Sequence, residues 1–504
     1  TIDGGEIAIK SASHGICVKD SLTVNGGNIS ITSGGDAIKC KGDTDSSDLY
    51  VEKSGEFLIN GGSLVLDTSG DGIDAEYIFR QNGGSIVIDS KSDGIKSGYS
   101  LYISGGSVEI KASEDGIKSS LGLSANANGN VTLSGGKVST EAYWDGIQAD
   151  GDITISHFAQ VNIVSGGGSG GEALTDENGE EIPQKGMKAV GNIKISGGSF
   201  LADTLEASIK TSGEIIISGG SINAKSGADV IKNDDASGKI SVSGGVLVLE
   251  ALGDAIAAHE SLTISGGSIS ATTTGKVASS GNAGFGGGFG GGRPSDNNSN
   301  TSSSNYASSK ALKSDGNLLI TGGIITTAST GHSIHSIGQT EISGGTINIS
   351  SSSGKGIAAH GNITVSDGAN IIISKATEAI ESKASIIVNG GSIYISASDD
   401  GFNTGGSVGS SNYEEHRITI NGGFIYAIGL GDVFDSNGDT VFSGGTTIII
   451  GPANGGNSCI DSQYGIKYSG GTVIGVASSG SMWGEDVIGN IDGDYVYNTY
   501  CGSL

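Results

Sequence analysis

The chain has 504 residues, of which 91 are Gly and only 3 are Pro, and its formal net charge is −27. Gly at this level can indicate disorder, but these Gly residues recur in pairs beside short Ile/Val runs, which a disordered segment gives no reason to expect. Recognition of phosphate needs clustered Lys and Arg, so we expect no binding to nucleic acid or anionic lipid and an attraction for cations. The sequence contains no apolar run long enough for membrane insertion.

A short repeat starts near the N-terminal end and returns along the chain: a polar residue, Gly-Gly, a polar residue, then alternating Ile or Val. Alternation in short runs predicts strands, and the Gly pair predicts a sharp bend between two of them. Many consecutive copies are about 22 residues apart. The Gly pairs begin at Gly26, Gly61, Gly83, Gly105, Gly135, Gly197, Gly219, Gly244, Gly266, Gly322, Gly344, Gly390, Gly422, Gly444 and Gly470.

Strand, bend, strand and turn in about 22 residues make one coil of a parallel β-helix. A single coil cannot bury its own apolar face, so stability must come from coils stacked about 4.8 Å apart. We therefore predict an all-β fold, a single-stranded parallel β-helix (solenoid) of roughly 22-residue coils over residues 1–471.

A second signature closes each coil and reads Asp36-Ala37-Ile38-Lys39 in its first copy. We predict that its third residue points inward, so that stacking makes one buried column that belongs to the core. The predicted column contains Ile38, Ile73, Ile95, Ile117, Ile147, Ile209, Ile231, Ile256, Ile334, Ile357, Ile380, Phe402, Phe434 and Ile460.

Two insertions and a terminal segment depart from the repeat. Residues 172–184 are acidic and predict a hairpin that turns at Asn178-Gly179. Residues 281–309 are rich in Gly and Ser and predict a loop. The repeat decays after residue 471, so 472–504 is predicted to cap the array. No matching cap precedes the first repeat, so we expect further coils upstream or another chain covering that end.

The four Cys residues form two groups. Cys17 and Cys40 fall on consecutive predicted coils, where a disulfide could span the stacking distance, and Cys459 and Cys501 lie near the other end. Two bridges would suit a secreted protein; free buried thiols are the alternative.

Stacking brings equivalent carboxylates of successive coils together, and the largest acidic set without compensating Lys is near the C-terminal end. Calcium takes six to eight oxygen ligands, so this set suits it, whereas a solvated acidic face with sodium counter-ions is the alternative. The predicted ligands are Glu378, Asp400 and Asp432 in one column, Glu381, Asn403, Asp435 and Asp461 in the next, and Asn437 and Asp439 in a loop.

A second predicted calcium set combines Asp36, Asp71, Asp74 and Asp93. Two loops offer weaker candidates, one with Asp43, Asp45 and Asp48 and the other with Asn490, Asp492 and Asp494.

Histidine and aromatic residues give further candidates. His332 and His335 are close enough in sequence to share a metal, but without a clustered acid or Cys they are interpreted as surface residues. Aromatic rings can stack on sugar rings or stabilise a solenoid ladder. The candidate sugar contacts are Tyr77 and Tyr99, at the same position of adjacent coils, and Tyr143 and Trp144, just before Asp145.

Taken together, the repeated Asn-Gly-Gly-Ser and Asp-Gly-Ile-Lys, the acidic hairpin before Gln184-Lys185-Gly186-Met187-Lys188-Ala189 and the Gly/Phe-rich segment at 284–292 resemble a known family. This family comprises calcium-containing, right-handed parallel β-helix carbohydrate-binding proteins of polysaccharide-degrading bacteria. The resemblance implies a secreted or surface-displayed protein that binds plant-wall polysaccharide, either acidic pectin-type chains or cellulose, with a fold similar to polysaccharide lyases. It also implies calcium ligands at Asp71, Asp93, Asp115 and Asp400.

Two alternatives remain open at this point. In a lyase, calcium would acidify the proton beside a uronate carboxylate and Lys96 or Lys118 would remove it, but Lys recurs at that position in many coils. In a structural filament, coils would stack head to tail through an uncapped N-terminal edge, with Cys17 and Cys501 linking neighbouring subunits. Binding to an acidic polymer would need cations to bridge the two partners, so the main hypothesis is calcium-dependent binding.

Overall fold

The computed structural model describes residues 1–42, 54–120, 128–275, 309–406, 412–453 and 457–477. Within these ranges the secondary structure consists of β-strands and one short 3₁₀ helix, Tyr413–His416. The strands form two long sheets in which the paired strands run parallel, which confirms an all-β, solenoid-like fold. No helix of the described part has the length and hydrophobicity needed to span a membrane.

The first sheet, here called the short ladder, contains the segments at the position of the Asp-Gly-Ile-Lys signature, including the coils in which the signature is altered. It has 17 strands, each three residues long, stacked in chain order. They are Ile16–Val18, Ile38–Cys40, Ile73–Ala75, Ile95–Ser97, Ile117–Ser119, Ile147–Ala149, Met187–Ala189, Ile209–Thr211, Ile231–Asn233, Ile256–Ala258, Leu312–Ser314, Ile334–Ser336, Ile357–Ala359, Ile380–Ser382, Phe402–Thr404, Phe434–Ser436 and Ile460–Ser462.

The second sheet, here called the long sheet, contains the strands on either side of the Gly-Gly bend. In several coils the two strands fuse into one of 11 to 13 residues. Its 29 strands are Glu6–Ser11, Ser21–Val24, Asn28–Ser33, Glu56–Ile59, Ser63–Thr68, Ile78–Gln81, Ser85–Ser90, Ser100–Ile103, Ser107–Ala112, Asn130–Leu133, Lys137–Ala142, Ile153–Ile155, Gln160–Ser165, Ile193–Thr204, Ile215–Ser226, Lys239–Val242, Val246–Ala251, Ser261–Ile264, Ser268–Thr273, Asn317–Ser329, Thr340–Ser351, Ile363–Val365, Ala369–Lys375, Ile386–Val388, Ser392–Ser396, Ile418–Ile420, Phe424–Ile428, Thr440–Ile450 and Ile466–Val476.

Residues distant in sequence become vertical neighbours because the strands stack in register. In the short ladder Ile73 pairs with Ile95 and Ile95 with Ile117. The predicted inner column is confirmed: its side chains are fully buried except that of Ile460, which is partly buried at the end of the described stack. Met187 and Leu312 complete the column where the signature differs. The alternate residues of each strand face outward, so the apolar core is a continuous stack between the sheets.

The second Gly of each Gly pair has a backbone conformation that only Gly adopts without strain. Gly84 has φ +77°, and a Cβ there would lie 2.9 Å from the carbonyl oxygen of Gly62 on the preceding coil. Both the left-handed φ and the close approach of stacked bends therefore require Gly, which explains the repeat's most regular feature.

The predicted departures from the repeat lie as follows. Between strands Gln160–Ser165 and Met187–Ala189 the chain leaves the ladder, and an antiparallel bridge joins Thr175 to Glu181. The predicted loop 281–309 falls outside the described residues except for Ser309. Strand Ile466–Val476 continues five residues past the predicted boundary at 471, and the predicted cap from 478 onward also lies outside the described part.

A bond between Cys17 and Cys40 is absent from the structure, contrary to the prediction. Cys17 is paired in register with Lys39 and faces outward, whereas Cys40 is paired with Val18 and is fully buried. The two thiols lie on opposite faces of the short ladder, because their positions in consecutive strands differ by one residue. The predicted partner of Cys459, Cys501, lies outside the described residues.

Candidate functional site

The first residue of each signature forms a stacked column beside the short ladder, as expected. These Asp side chains are buried, however, and Asp93 is only 2% exposed. In most of these coils one carboxylate oxygen accepts a hydrogen bond from the backbone N–H of the equivalent residue in the next coil. The Asp36, Asp71 and Asp93 carboxylates accept from the next three residues of the column at 3.0 to 3.1 Å. The column therefore has a structural role, since it satisfies backbone donors that no ladder bond reaches.

Lys side chains neutralise this column in the N-terminal half. Lys39 forms ion pairs with Asp36, at 3.1 Å, and with Asp74 of the next coil. Lys96 lies 3.8 Å from Asp71. The second predicted calcium set, Asp36, Asp71, Asp74 and Asp93, is thus held by its own Lys residues, and the structure offers no independent support for a cation there.

At the C-terminal end this compensation is only partial, since among the described residues Lys355 pairs with Glu378 and Glu381 but not with Asp399 or Asp400. In the described part of the chain, one group of three metal-ligand side chains has ligand atoms within 4.8 Å of one another: Glu378, Asp399 and Asp400. Lys355 pairs with Glu378 at 3.1 Å and with Glu381. Asp399 was not among the predicted ligands, because it precedes the repeated Asp position and lies in the turn.

The neighbouring predicted column is also present. Glu381, Asn403, Asp435 and Asp461 are successive register partners in the short ladder. The Asn403 side-chain nitrogen donates to Asp400, at 2.8 Å, and to Asp435, at 3.3 Å. Asn403 is 1% exposed, and its amide oxygen is buried with no hydrogen-bond partner. We call Glu378, Asp399, Asp400, Asn403 and Asp435 the acidic patch.

Charge is concentrated in the acidic patch. Burial raises the pKa of Asp400 to about 7, and repulsion from Asp435, Asp399 and Glu378 adds to the increase. Burial also raises the pKa of Asp461. A bound cation would reverse these shifts by favouring the ionised carboxylates. The donors are all hard oxygens, and an unpaired buried amide oxygen is available to join them, so the patch fits calcium chemically.

Three other predicted ligands have different partners. Asp439 is fully buried and ion-paired with Arg417 and Lys467, the latter at 2.7 Å. Burial opposes its ionisation, but the hydrogen bonds from these two cations outweigh that effect and lower the pKa of Asp439. The Asn437 side chain donates to the Gly406 carbonyl at 2.8 Å.

Asp432 accepts hydrogen bonds from the backbone and hydroxyl of Ser458. Asp439 is thus neutralised, Asn437 is engaged by a carbonyl, and Asp432 serves as a backbone acceptor. The predicted loop ligands Asp43, Asp45, Asp48, Asn490, Asp492 and Asp494 lie outside the described residues.

The predicted aromatic contacts form two separate features. The rings of Tyr77 and Tyr99 are 4.9 Å apart and tilted by 37°, on the turn that follows the short ladder. Tyr143 is 55% exposed and Trp144 lies under the Lys118 ammonium, on the turn that precedes the ladder.

The histidines are less exposed than the sequence suggested. The rings of His332 and His335 stack at 5.5 Å, and His360 meets His335 edge-on at 5.7 Å. Burial, with repulsion from Lys310 and the two neighbouring rings, lowers the pKa of His335 to about 2. His335 is therefore a neutral, partly buried side chain packed between the rings of His332 and His360.

Comparison with known proteins gives one finding. A family model described as "Carbohydrate-binding domain-containing protein" matches residues 1–92, 79–230 and 230–356, which together span 356 of the 504 residues. No curated protein and no solved structure matches the chain.

Proposed function

The chain belongs to the carbohydrate-binding domain-containing protein family, and from this premise we propose that it is a secreted or cell-surface protein that binds acidic plant-wall polysaccharide through calcium. The observation that carries the calcium part is the acidic patch, where Asp399 and Asp400 lie beside Glu378 within 4.8 Å. A chain with a net charge of −27 repels a polyuronate unless cations bridge the two. Calcium held by Asp399 and Asp400, with coordination positions left for a uronate carboxylate, would supply that bridge.

Binding without catalysis is supported by the state of the candidate base Lys118. Its ammonium lies 2.7 Å from Asp115 and 3.7 Å from Asp93. Burial alone would lower its pKa, but the attraction of Asp115 and Asp93 outweighs burial and raises the pKa of Lys118. A Lys that stays protonated cannot remove a proton from a uronate, so we expect no unsaturated products in an ultraviolet assay with polygalacturonate.

We also propose that the coils wind right-handed with roughly 22 residues each, as the resemblance implies. Parallel strands joined by a crossover connection within one sheet strongly favour the right hand. A crystal structure would give the hand directly, and a left-handed winding would contradict this proposal.

Co-sedimentation with cross-linked polygalacturonate tests the proposed function. We expect the bound fraction to fall about tenfold or more when calcium is replaced by a chelator. The variant Asp399→Asn/Asp400→Asn should lose the calcium-dependent binding, and calorimetry with calcium alone should show the loss of a site. The matched control Asp71→Asn/Asp74→Asn removes two carboxylates that Lys39 and Lys96 compensate, and should bind as wild type does. Binding that is undiminished by the chelator would refute the calcium bridge.

A further inference from the structure

The Asp column beside the short ladder is interrupted in three successive coils. Lys310, His332 and Lys355 lie where the repeat usually has Asp, two residues before the inner residue of each strand. Lys313 and His335 occupy the next outward positions and are register partners in the ladder. We call these five residues the basic stretch. The column therefore reverses its charge here, in a chain whose net charge is −27.

His332 takes over the structural role of the missing Asp. Its Nδ1 accepts the backbone N–H of Lys355 at 3.0 Å, as the Asp254 carboxylate accepts the N–H of Lys310 at 2.8 Å. A carboxyl group keeps an acceptor oxygen whether or not it is protonated, whereas an imidazole nitrogen accepts only when it carries no proton. An unperturbed His gains its proton near pH 6.5. The contact between these two coils therefore depends on pH in a way that an Asp contact does not.

His335 is a second imidazole that the fold keeps neutral. Its Nδ1 is buried and has no hydrogen-bond partner among the described residues. The ring packs against that of His332 at 5.5 Å and against that of His360 at 5.7 Å. Burial is the main reason that the pKa of His335 falls to about 2, and repulsion from Lys310 adds to the decrease. Opening of the surrounding coils would expose this ring to water and let it take up a proton at an ordinary pH.

The charged groups around the two rings oppose a proton on either of them. Lys310 and Lys313 come from the preceding coil, and Lys355 and His360 come from the next. The acids of the surrounding coils that pair with these Lys residues are Asp254 and Asp315 for Lys313, at 3.8 and 3.4 Å, and Glu378, at 3.1 Å, and Glu381 for Lys355. A proton on either ring would thus add charge beside cations whose acidic partners are already engaged.

His14 provides a comparison within the same chain. Its Nδ1 also accepts a backbone N–H of the next coil, that of Asp36, at 3.1 Å. The same nitrogen lies 3.3 Å from the Asp36 carboxylate, which would hold a protonated imidazole in an ion pair. Acid therefore replaces one contact by another at His14, whereas at His332 it only removes a contact.

We infer that the basic stretch makes one segment of the solenoid acid-sensitive, and that protonation of His332 and His335 opens the ladder between their coil and the next. A proton on Nδ1 turns the acceptor of His332 into a donor that faces the Lys355 N–H. A proton on His335 adds a second positive charge beside Lys310. The inference goes beyond the proposed function and is independent of it, since it needs neither calcium nor polysaccharide. Because Lys355 also pairs with Glu378, the opened contact would lie directly beside the acidic patch.

Hydrogen exchange of the full chain tests this inference when it is read by mass spectrometry between about pH 7.5 and about pH 5 and corrected for intrinsic rates. Opening that releases both imidazoles takes up two protons. The opening constant over residues 332–360 should therefore rise by up to about a hundredfold for each pH unit below about 6.5. Residues 14–40 should show no such rise. His332→Asn keeps an acceptor oxygen and removes one of the two titrating groups, which should reduce the rise to about tenfold for each pH unit.

The variant His332→Asn/His335→Gln should remove the acid sensitivity, and Gln is already accommodated at the same ladder position at Gln148. The matched control His259→Asn changes an exposed His and should behave as wild type does. The inference would be overturned if the double variant remained as acid-sensitive as wild type, or if wild type showed no rise over residues 332–360. An equal rise over residues 14–40 would also overturn it, because the acid response would then belong to the whole chain. If the double variant does not fold, the comparison of these two segments in wild type decides the question.

Discussion

Replacing Asp93 by Asn would show whether the buried Asp column acts as a set of backbone acceptors or as a set of charges. One carboxylate oxygen of Asp93 accepts the N–H of Asp115 at 3.1 Å, and the other lies 3.7 Å from the Lys118 ammonium. Asn keeps an oxygen for the backbone bond and removes the charge, whereas Ala removes both. If the acceptor role dominates, Asp93→Asn should be tolerated and Asp93→Ala should not.

The change in stability caused by Asp93→Asn depends on pH. Burial raises the pKa of Asp93 to about 7; attraction by Lys118 opposes this increase, and repulsion from Asp115 and Asp71 adds to it. Between the unfolded pKa, near 4, and about 7 the folded state holds a proton that the unfolded chain releases. This stabilising contribution is fully present below about pH 4 and is lost as the pH rises through 7. The opening free energy of Asp93→Asn, taken relative to that of wild type, should therefore rise by up to about 3 kcal/mol from pH 5 to pH 8.

The opening free energy of Asp93→Ala relative to wild type should rise with pH in the same way, but it should be lower than that of Asp93→Asn at every pH. Its truncation leaves the buried N–H of Asp115 unpaired, which costs about 1–3 kcal/mol. Hydrogen exchange read by mass spectrometry over residues 107–119, corrected for intrinsic rates, gives the local opening free energy, which is the appropriate quantity in a repeat protein. Asp89→Asn is the control: that side chain is 52% exposed, and its replacement should change the opening free energy by less than about 0.5 kcal/mol. Equal destabilisation by Asn and Ala at both pH values would refute the acceptor role.

Two further predictions concern the bend and the thiols. Gly84→Ala should destabilise the solenoid by about 1–3 kcal/mol, because the left-handed φ and the carbonyl of the preceding coil both oppose a Cβ. Gly170→Ala, in the excursion with no left-handed φ and no atom within 4 Å of the added Cβ, should leave the main thermal transition unchanged, and equal shifts in melting temperature would contradict this reasoning. Iodoacetamide at pH 8 should modify exposed Cys17 and spare Cys40, because burial raises the pKa of the Cys40 thiol to about 12. Protection of both thiols in the native protein, reversed by a reductant, would instead support the predicted disulfide.

Sequence periodicity was sufficient to predict the stack and its inner column. Ile73, Ile95 and Ile117 recur at a constant spacing beside a Gly pair, and only parallel stacking buries such a series. The Asp column was harder to interpret, because its hydrogen-bond donors belong to the next coil. The acceptor role of Asp93 becomes visible only once the backbone donors of consecutive coils can be matched to acceptors.

Residues outside the repeated positions were missed for a related reason. Asp399 lies one residue before a repeated Asp, so column alignment passed over it. The ion pair of Arg417 with Asp439 follows the 3₁₀ helix Tyr413–His416, an insertion whose effect on register the sequence does not reveal.

The chain's own repeat therefore provides the reference against which functional positions stand out. Where Asp precedes the inner Ile and Lys follows it, as at Asp115 and Lys118, backbone donors are satisfied and the charges cancel, which leaves nothing to attract a ligand. Functional residues should therefore be sought in coils that keep the stacked strands but lack this pairing of Asp with Lys. Asn403 replaces the neutralising Lys and leaves a buried oxygen unpaired. This departure lies in the C-terminal coils beside Glu378, Asp399 and Asp400, whose ligand atoms lie within 4.8 Å of one another.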